Sequence, residues 1–380
     1  MKRPLLGCAF LLLALTHLVN AGFVPFRLVG HIVMVECRLD GNDMPLNFMV
    51  DTGGRTFVDP QVARKLGLKT KGFGVKIRRL AMGDIEIENV FGMMVFDFTP
   101  WEKFGIHLSG MIGSDLLERF TVTFDYAARK IEFSKARQLD PAVPGLRQNF
   151  TTHPINNAPM VPIRIGDMPE MQAMIDTGQP MDLVIPLSMW ERIRPGGNVI
   201  RARGVLLKWP MTRSRENRLT RLEGVRVGPL SPTAMPVFWA ELPAQLSVPL
   251  LGRSFLSRYR VTLCYPAREA RFQPIGENTP DAAFSTFGFY LYWDGESGHA
   301  RVRGIWEQSP AERAGLAPED IVFSICGKNL EHAVFPDMLN RLEEPGRTTL
   351  ELEVERNGSR RKLRLQRGPL FPRPSPATDT

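Results

Sequence analysis

Two short stretches of the chain are built alike and carry the same carboxylate. Residues 48–54 read Phe-Met-Val-Asp-Thr-Gly-Gly, and residues 173–179 read Ala-Met-Ile-Asp-Thr-Gly-Gln. In each, an apolar run ends on Asp, Thr and Gly, and another apolar run follows. A carboxylate at the end of a buried strand is costly unless the fold uses it, whereas a lone Asp-Thr-Gly reads as a plain turn. The second copy changes that reading. Two carboxyls brought face to face cannot both ionise, so Asp51 and Asp176 would share one proton. The ionised member can act as general base on a water. The protonated member can hydrogen-bond a substrate carbonyl and then act as acid. Such a pair hydrolyses an amide without a metal, cofactor or covalent intermediate. Thr52 and Thr177 offer hydroxyls that can bond across the pair, and Gly53 and Gly178 let the backbone turn tightly beside each carboxyl.

The elements that must position this pair form an internal repeat. Asp51 and Asp176 are 125 residues apart. Downstream, residues 109–134 match residues 248–273, pairing Gly113 with Gly252, Phe120 with Tyr259, Tyr126 with Tyr265 and Phe133 with Phe272, each 139 apart. The second half therefore holds 14 extra residues (139 less 125), near the basic stretch described below. Each half reads as mostly β. A hairpin precedes each Asp, with turns at Gly41-Asn42 and Gly166-Asp167. A short run follows each Gly, Thr56-Phe57-Val58 or Leu183-Val184-Ile185. A short helix is expected over Asp59–Leu66, with Pro60 in its first turn. Each half closes on another hairpin.

These residues resemble the aspartic proteases of the retropepsin-like and pepsin-like group. Both copies look like that family's active-site turn. Each is followed by a two-apolars-then-Gly element, Met111-Ile112-Gly113 and Leu250-Leu251-Gly252, which in the family threads next to the catalytic loop. The likeness covers about residues 25–275. It implies a mainly β fold of two pseudo-twofold lobes, with Asp51 and Asp176 catalytic and Thr52, Gly53, Thr177 and Gly178 supporting them. It also implies protein or peptide substrates and no cofactor. With both lobes in one chain, a monomer with an intramolecular site is expected, the alternative being pairing with lobes of another chain. Pepsin-like enzymes carry Ser or Thr after the Gly, bonded to the carboxylate; this chain has Gly54 and Gln179. Fewer bonds to the charged form leave the pair's pKa values higher, so a mildly acidic to near-neutral optimum is expected. No flap Tyr is evident between Phe73 and Asp97, and the covering hairpin is expected over Val75–Glu88.

From about residue 283 the pattern changes. Phe287-Gly288-Phe289 opens a strand, Ser309-Pro310-Ala311 starts a short helix, Ile321–Ile325 reads as a strand, residues 332–344 as an amphipathic helix, and residues 348–365 as a hairpin through Asn357-Gly358. This module resembles a PDZ domain (α+β, a small β-barrel with helices) of the kind attached to bacterial envelope proteases. The resemblance implies that a peptide C-terminus adds as a strand, with its carboxylate on the loop Thr286, Phe287, Gly288 and Phe289. A packing module with an inactive groove is the alternative. Glu319-Asp320 stands where Gly-Asp is commoner in that family.

The remaining features bound location and partners. The chain has 380 residues, 43 % of them hydrophobic and 23 % charged, as expected of a folded protein of two or three domains. Lys2 and Arg3 precede an apolar run over Leu5–Val19, and Val19-Asn20-Ala21 gives a small-residue cleavage site: a signal peptide, with an uncleaved membrane anchor as the alternative. Cys37, Cys264 and Cys326 are odd in number and widely spaced, and read as buried thiols rather than a disulfide framework. The histidines show no metal-ligand spacing. The net charge is +8, and the basic stretch from Arg192 to Arg221 holds a single acidic residue, Glu216. It reads as a solvated face or as a surface for acidic substrates or anionic lipid. Nucleic acid is not an expected partner, since no binding motif is present. The expected division is a signal peptide over 1–21, lobes over 22–145 and 146–278, the PDZ-like module over 279–368 and a disordered Pro-rich tail over 369–380. The function expected is that of a secreted or periplasmic aspartic endopeptidase whose PDZ module recruits or gates substrate. The alternative is an inactive peptide-binding scaffold.

Overall fold

The computed structural model describes residues 21–96, 98–102, 106–204, 217–276, 284–330, 342 and 346–371. The expected signal peptide before Ala21, the middle of the basic stretch at 205–216, the expected amphipathic helix apart from Leu342, and the tail from 372 lie outside the described residues. The described chain is mainly β.

Its two halves build their sheets in the same order. In the first, the strands run 27–29, 32–39, 46–51, 110–113, 57–58, 85–93, 74–82 and 69–71 from edge to edge. In the second, the order is 151–152, 159–165, 171–175, 250–251, 183–186, 233–240, 218–227 and 200–204. Even the extra pairing recurs: Ile32–Leu39 also pairs Gly74–Met82, and Pro159–Ile165 also pairs Arg218–Val227. The hairpins read around Gly41-Asn42 and Gly166-Asp167 are present, as is a helix over Pro60–Lys65, capped by Asp59. The additional length of the second half lies between Leu183–Pro186 and Arg218–Val227.

The halves meet in a six-stranded sheet made from their closing hairpins. Its centre pairs Thr121–Asp125 with Tyr259–Cys264, and there Thr123 faces Thr262, its own equivalent in the repeat, with hydroxyls 3.0 Å apart. A residue meeting its own repeat equivalent marks the pseudo-twofold axis. The strand Ala21–Pro25 pairs Lys130–Ser134 on one side, and Leu146–Asn149 pairs Glu269–Pro274 on the other. One continuous core runs through both halves, from Val33 and Phe48 to Leu251 and Phe272.

Residues 284–371 form a third module with its own core around Phe289, Val302, Val322 and Leu352. It is not a bead on a linker. The strand Ile200–Gly204 is shared, with Ile200 and Arg201 pairing the second half and Ala202–Gly204 pairing Trp306, Ile305 and Gly304 of the third module. Trp306 is fully buried among Phe238, Ile200, Leu219 and Met174 of the second half. Leu370 and Phe371 join the same cluster, so the tail expected to be disordered from 369 is packed at its beginning. Burying these two apolar side chains offsets the entropy lost in ordering the stretch. On the first half, the matching face, carrying Met34, Met49 and Met111, is covered instead by its own Phe98 and Trp101. No helix among the described residues is long and apolar enough to cross a membrane.

Three smaller readings are refined. The hairpin over Val75–Glu88 exists, but its Gly83-Asp84 turn packs on Phe23 and Val24. A second, tighter turn, Gly72-Phe73, joins Lys69–Lys71 to Gly74–Met82, with Phe73 O accepting from Met94 N–H. Cys37 and Cys264 are buried, but Cys326 is exposed, at a turn with φ of 49°. Glu319 has φ of 71°, the left-handed conformation that glycine adopts at least cost.

Candidate active site

Each aspartate ends a central strand, Leu46–Asp51 or Met171–Ile175, that pairs in parallel with the apolar-apolar-Gly element of its own half. Asp51 sits opposite Gly113, and the Asp176 N–H donates to Leu251 O at 2.9 Å. The parallel pair fixes the strand end from one side. The opposite half fixes it from the other. Thr52 N–H donates to Thr177 Oγ1 at 3.1 Å, and Thr177 N–H donates to Thr52 Oγ1 at 3.1 Å. The Thr52 hydroxyl donates onward to Ile175 O at 2.7 Å, and the Thr177 hydroxyl to Val50 O at 2.9 Å. Four buried bonds therefore lock the two turns together, and both threonines are almost wholly shielded.

This brings Asp51 and Asp176 into hydrogen-bond contact, each 4 % exposed. Burial raises both carboxyls above the usual range. At Asp51 the rise is opposed by the backbone N–H of Gly53, by a hydrogen bond from Asp176, and by the N–H groups of Gly178 and Gly54. At Asp176 burial is reinforced by the charge of Asp51 and by the hydrogen bond given to it, and only the Gly178 and Gln179 amides oppose it. Asp176 is thus held well above the usual range, and two carboxyls so close share one proton. One ionised and one protonated carboxyl, side by side, form a general base and a general acid.

The glycines serve a purpose different from the one read in the sequence. Neither Gly53 nor Gly178 has a positive φ. What they supply is the lack of a side chain: a β-carbon on Gly53 would meet the Asp176 carboxyl, and one on Gly178 the Asp51 carboxyl. Gly54 is constrained in the same way, since a β-carbon there would lie 2.7 Å from Met111 Sδ and 3.1 Å from Asp51 Oδ2. Gln179 is buried but turns from the pair, its Oε1 accepting from Met181 N–H.

Other supporting residues carried no motif. Ser114 Oγ donates to Thr52 O at 2.7 Å and lies 3.0 Å from the Tyr265 hydroxyl of the other half. Asn156, in the turn before Pro159–Ile165, donates from Nδ2 to Gly53 O at 2.6 Å. Phe57, which pairs Met111, stacks on Phe96 at 4.9 Å, and both pack against the cluster of Met49, Phe98 and Trp101. Among the described residues no three His, Cys, Asp or Glu gather as a metal site.

The loop Thr286, Phe287, Gly288 and Phe289 lies in the third module. Gly288 has φ of 88°, and its N–H donates to Thr286 Oγ1 at 3.0 Å. Phe287 O accepts from Ala311 N–H and Gly288 O from Trp306 N–H. Both phenylalanines are buried, and the Arg367 guanidinium lies 4.7 Å from the Phe287 ring. Within the described residues Phe289–Asp294 pairs only with His299–Trp306, so one of its edges carries no strand. Comparison with protein-family models and with curated proteins finds no match to this chain.

Proposed function

We propose that the protein is an aspartic endopeptidase, a two-lobed member of the retropepsin-like and pepsin-like group with a C-terminal PDZ domain. Its site lies within one chain. Asp51, ionised, takes a proton from the attacking water. Asp176, protonated, hydrogen-bonds the scissile carbonyl and neutralises its developing charge; proton transfer to the leaving nitrogen completes the cleavage. The observation that carries this reading is the contact of two buried carboxyls from matching turns, cross-tied by Thr52 and Thr177. Among the described residues one edge of Phe289–Asp294 carries no strand, which supports a PDZ role in recruiting or gating a protein substrate by strand addition. The apolar run after Lys2-Arg3 supports export to the periplasm or the exterior.

Peptide-library cleavage by residues 22–380 from about pH 3 to about pH 8, beside Asp51→Asn and Asp176→Asn, tests the reading. Cleavage by the parent and loss in both variants is expected. No cleavage by the parent at any pH favours the inactive peptide-binding scaffold.

A further inference from the structure

The two halves share a sheet order, but only one has its outermost strand paired on both sides. Ile200–Gly204 closes the second half's part of the sheet, and its Ala202–Gly204 joins Trp306, Ile305 and Gly304 of the third module. Lys69–Lys71 holds the same place in the first half, and among the described residues nothing pairs its outer edge. Strand register extends the comparison to the face beside that edge. Met111 faces Phe57, which faces Met93; in the same way Leu250 faces Val184, which faces Phe238. Met93 is therefore the counterpart of Phe238, and Val95, two residues on, that of Ala240. Phe238 and Ala240 are buried in the cluster that holds Trp306, Leu370 and Phe371. Met93 is half-buried, and Val95 is 51 % exposed.

Phe98 and Trp101 cover Met34, Met49 and Met111 but leave an apolar patch open at the outer end of the sheet. Phe73 is 73 % exposed and Phe91 61 %. The Phe91 ring lies across Gly74, where a β-carbon would stand 2.6 Å from its Cζ, and Phe73 O accepts from Met94 N–H at 2.8 Å. Phe73, Phe91 and Val95 therefore sit close together. Lysines border them: Lys69 faces Lys76, which faces Phe91, and Lys71 faces Gly74, which faces Met93. All three lysines are exposed. The acids of this hairpin lie farther along it, Glu88 facing Arg79 and Glu86 paired with Arg79 at 3.6 Å. The alternation of an antiparallel ladder turns the Thr70 N–H and C=O away from Val75, to the outer side. Lysines alone guard such an edge against pairing. Exposed phenylalanines beside them do the reverse, offering apolar area to whatever pairs there.

We propose that the Lys69–Lys71 edge, with Phe73, Phe91 and Val95, is a docking surface for an extended acidic segment of a partner protein. The segment adds beside Lys69–Lys71 as Gly304–Trp306 adds beside Ala202–Gly204, its backbone meeting Thr70. Trp306 reaches Phe238 across two intervening strands, with ring centroids 5.8 Å apart. A large apolar side chain of the added strand reaches Met93 and Phe91 in the same way, over Gly74. Acidic side chains next to it meet Lys69, Lys71 and Lys76. This surface is independent of whether the aspartate pair cleaves peptides.

The test is fluorescence anisotropy of the full chain with labelled peptides in which glutamate alternates with large apolar residues. Blocked peptide ends keep them from the carboxylate-binding loop, and Asp51→Asn throughout keeps them uncut. The glutamate peptides should bind, the same peptides with lysine for glutamate should not, and affinity should fall as salt is raised. Lys69→Glu, Lys71→Glu and Lys76→Glu together should weaken binding about tenfold or more. Phe91→Ala should weaken it about tenfold. Thr70→Pro removes only the outward N–H, which an edge strand tolerates, and should weaken it about three- to tenfold. Each change is at an exposed residue, and an unmoved urea midpoint shows that the fold is kept. The proposal is overturned if no glutamate peptide binds, or if these variants bind as the parent does. If phosphatidylglycerol vesicles or a second copy of the chain take the patch instead, with association lost in Phe91→Ala and no peptide bound, the surface is one for lipid or for dimerisation and the proposal falls.

Discussion

A β-carbon placed on Gly53 would stand 2.5 Å from Cγ of Asp176 in the opposite half. Gly178 stands in the reciprocal relation to Asp51, at 2.7 Å from its Cγ. Either Gly→Ala change should push the two carboxyls apart while leaving the sheets that carry them intact. Misplacement on the ångström scale costs about 100-fold in rate, and overpacking costs about 1–3 kcal/mol in stability. Turnover of a cleavable peptide, with urea unfolding alongside, should show a far larger loss in kcat than in stability.

The raised carboxyls also predict how stability varies with pH. In the unfolded chain both aspartates titrate in the usual range, while the folded pair keeps its proton to higher pH. The folded state then binds more protons, so the pair's contribution is greatest in acid and declines as pH rises through the folded pKa. Asp176→Asn imitates the protonated carboxyl and should melt higher than the parent at neutral pH. The gain should be about 2–4 °C per kcal/mol of relieved repulsion. Below the usual carboxylate pKa the two melting curves should converge. A calorimetric series in pH checks both.

Replacing Thr52 by Val keeps its shape but removes the hydroxyl that donates to Ile175 O and accepts from Thr177 N–H. Two buried backbone groups lose partners, at about 1–3 kcal/mol each. Thr52→Ser should restore most of that stability in urea titrations and most of the activity.

The place of Trp306 predicts that the third module cannot be cut away cleanly. Trp306→Ala should cost about 3–5 kcal/mol. The loss should appear in the second half as well as in the third module, because its ring lies 5.8 Å from that of Phe238. Residues 22–278 alone should expose Phe238, Leu219 and Met181 and bind a hydrophobic dye that the full chain does not.

Much of this architecture was legible because its signals are local and repeated. Asp51 and Asp176 announce themselves by apolar run, Asp, Thr and Gly, and their downstream partners recur at a fixed offset. The turn residues Gly41, Gly166 and Asn357-Gly358 mark their hairpins, and Pro60 its helix. Asn156 and Ser114 were not legible, because their work is a single contact with a residue far away in sequence. The need for Gly53 was misattributed for a related reason: the atom it must avoid belongs to the other half. Leu370 and Phe371 sit in a proline-rich stretch whose composition hid that a distant apolar face was waiting for them.

The route of the chain through the second half's apolar cluster sets an order of assembly. Asp51 is made first and meets nothing until Asp176 and its threonine follow. Even then the face behind Met174 stays open until Trp306 emerges, and it closes only with Leu370 and Phe371. Because domains fold as units during synthesis, the second half emerges with part of its apolar surface open, and only the last residues made complete its cover.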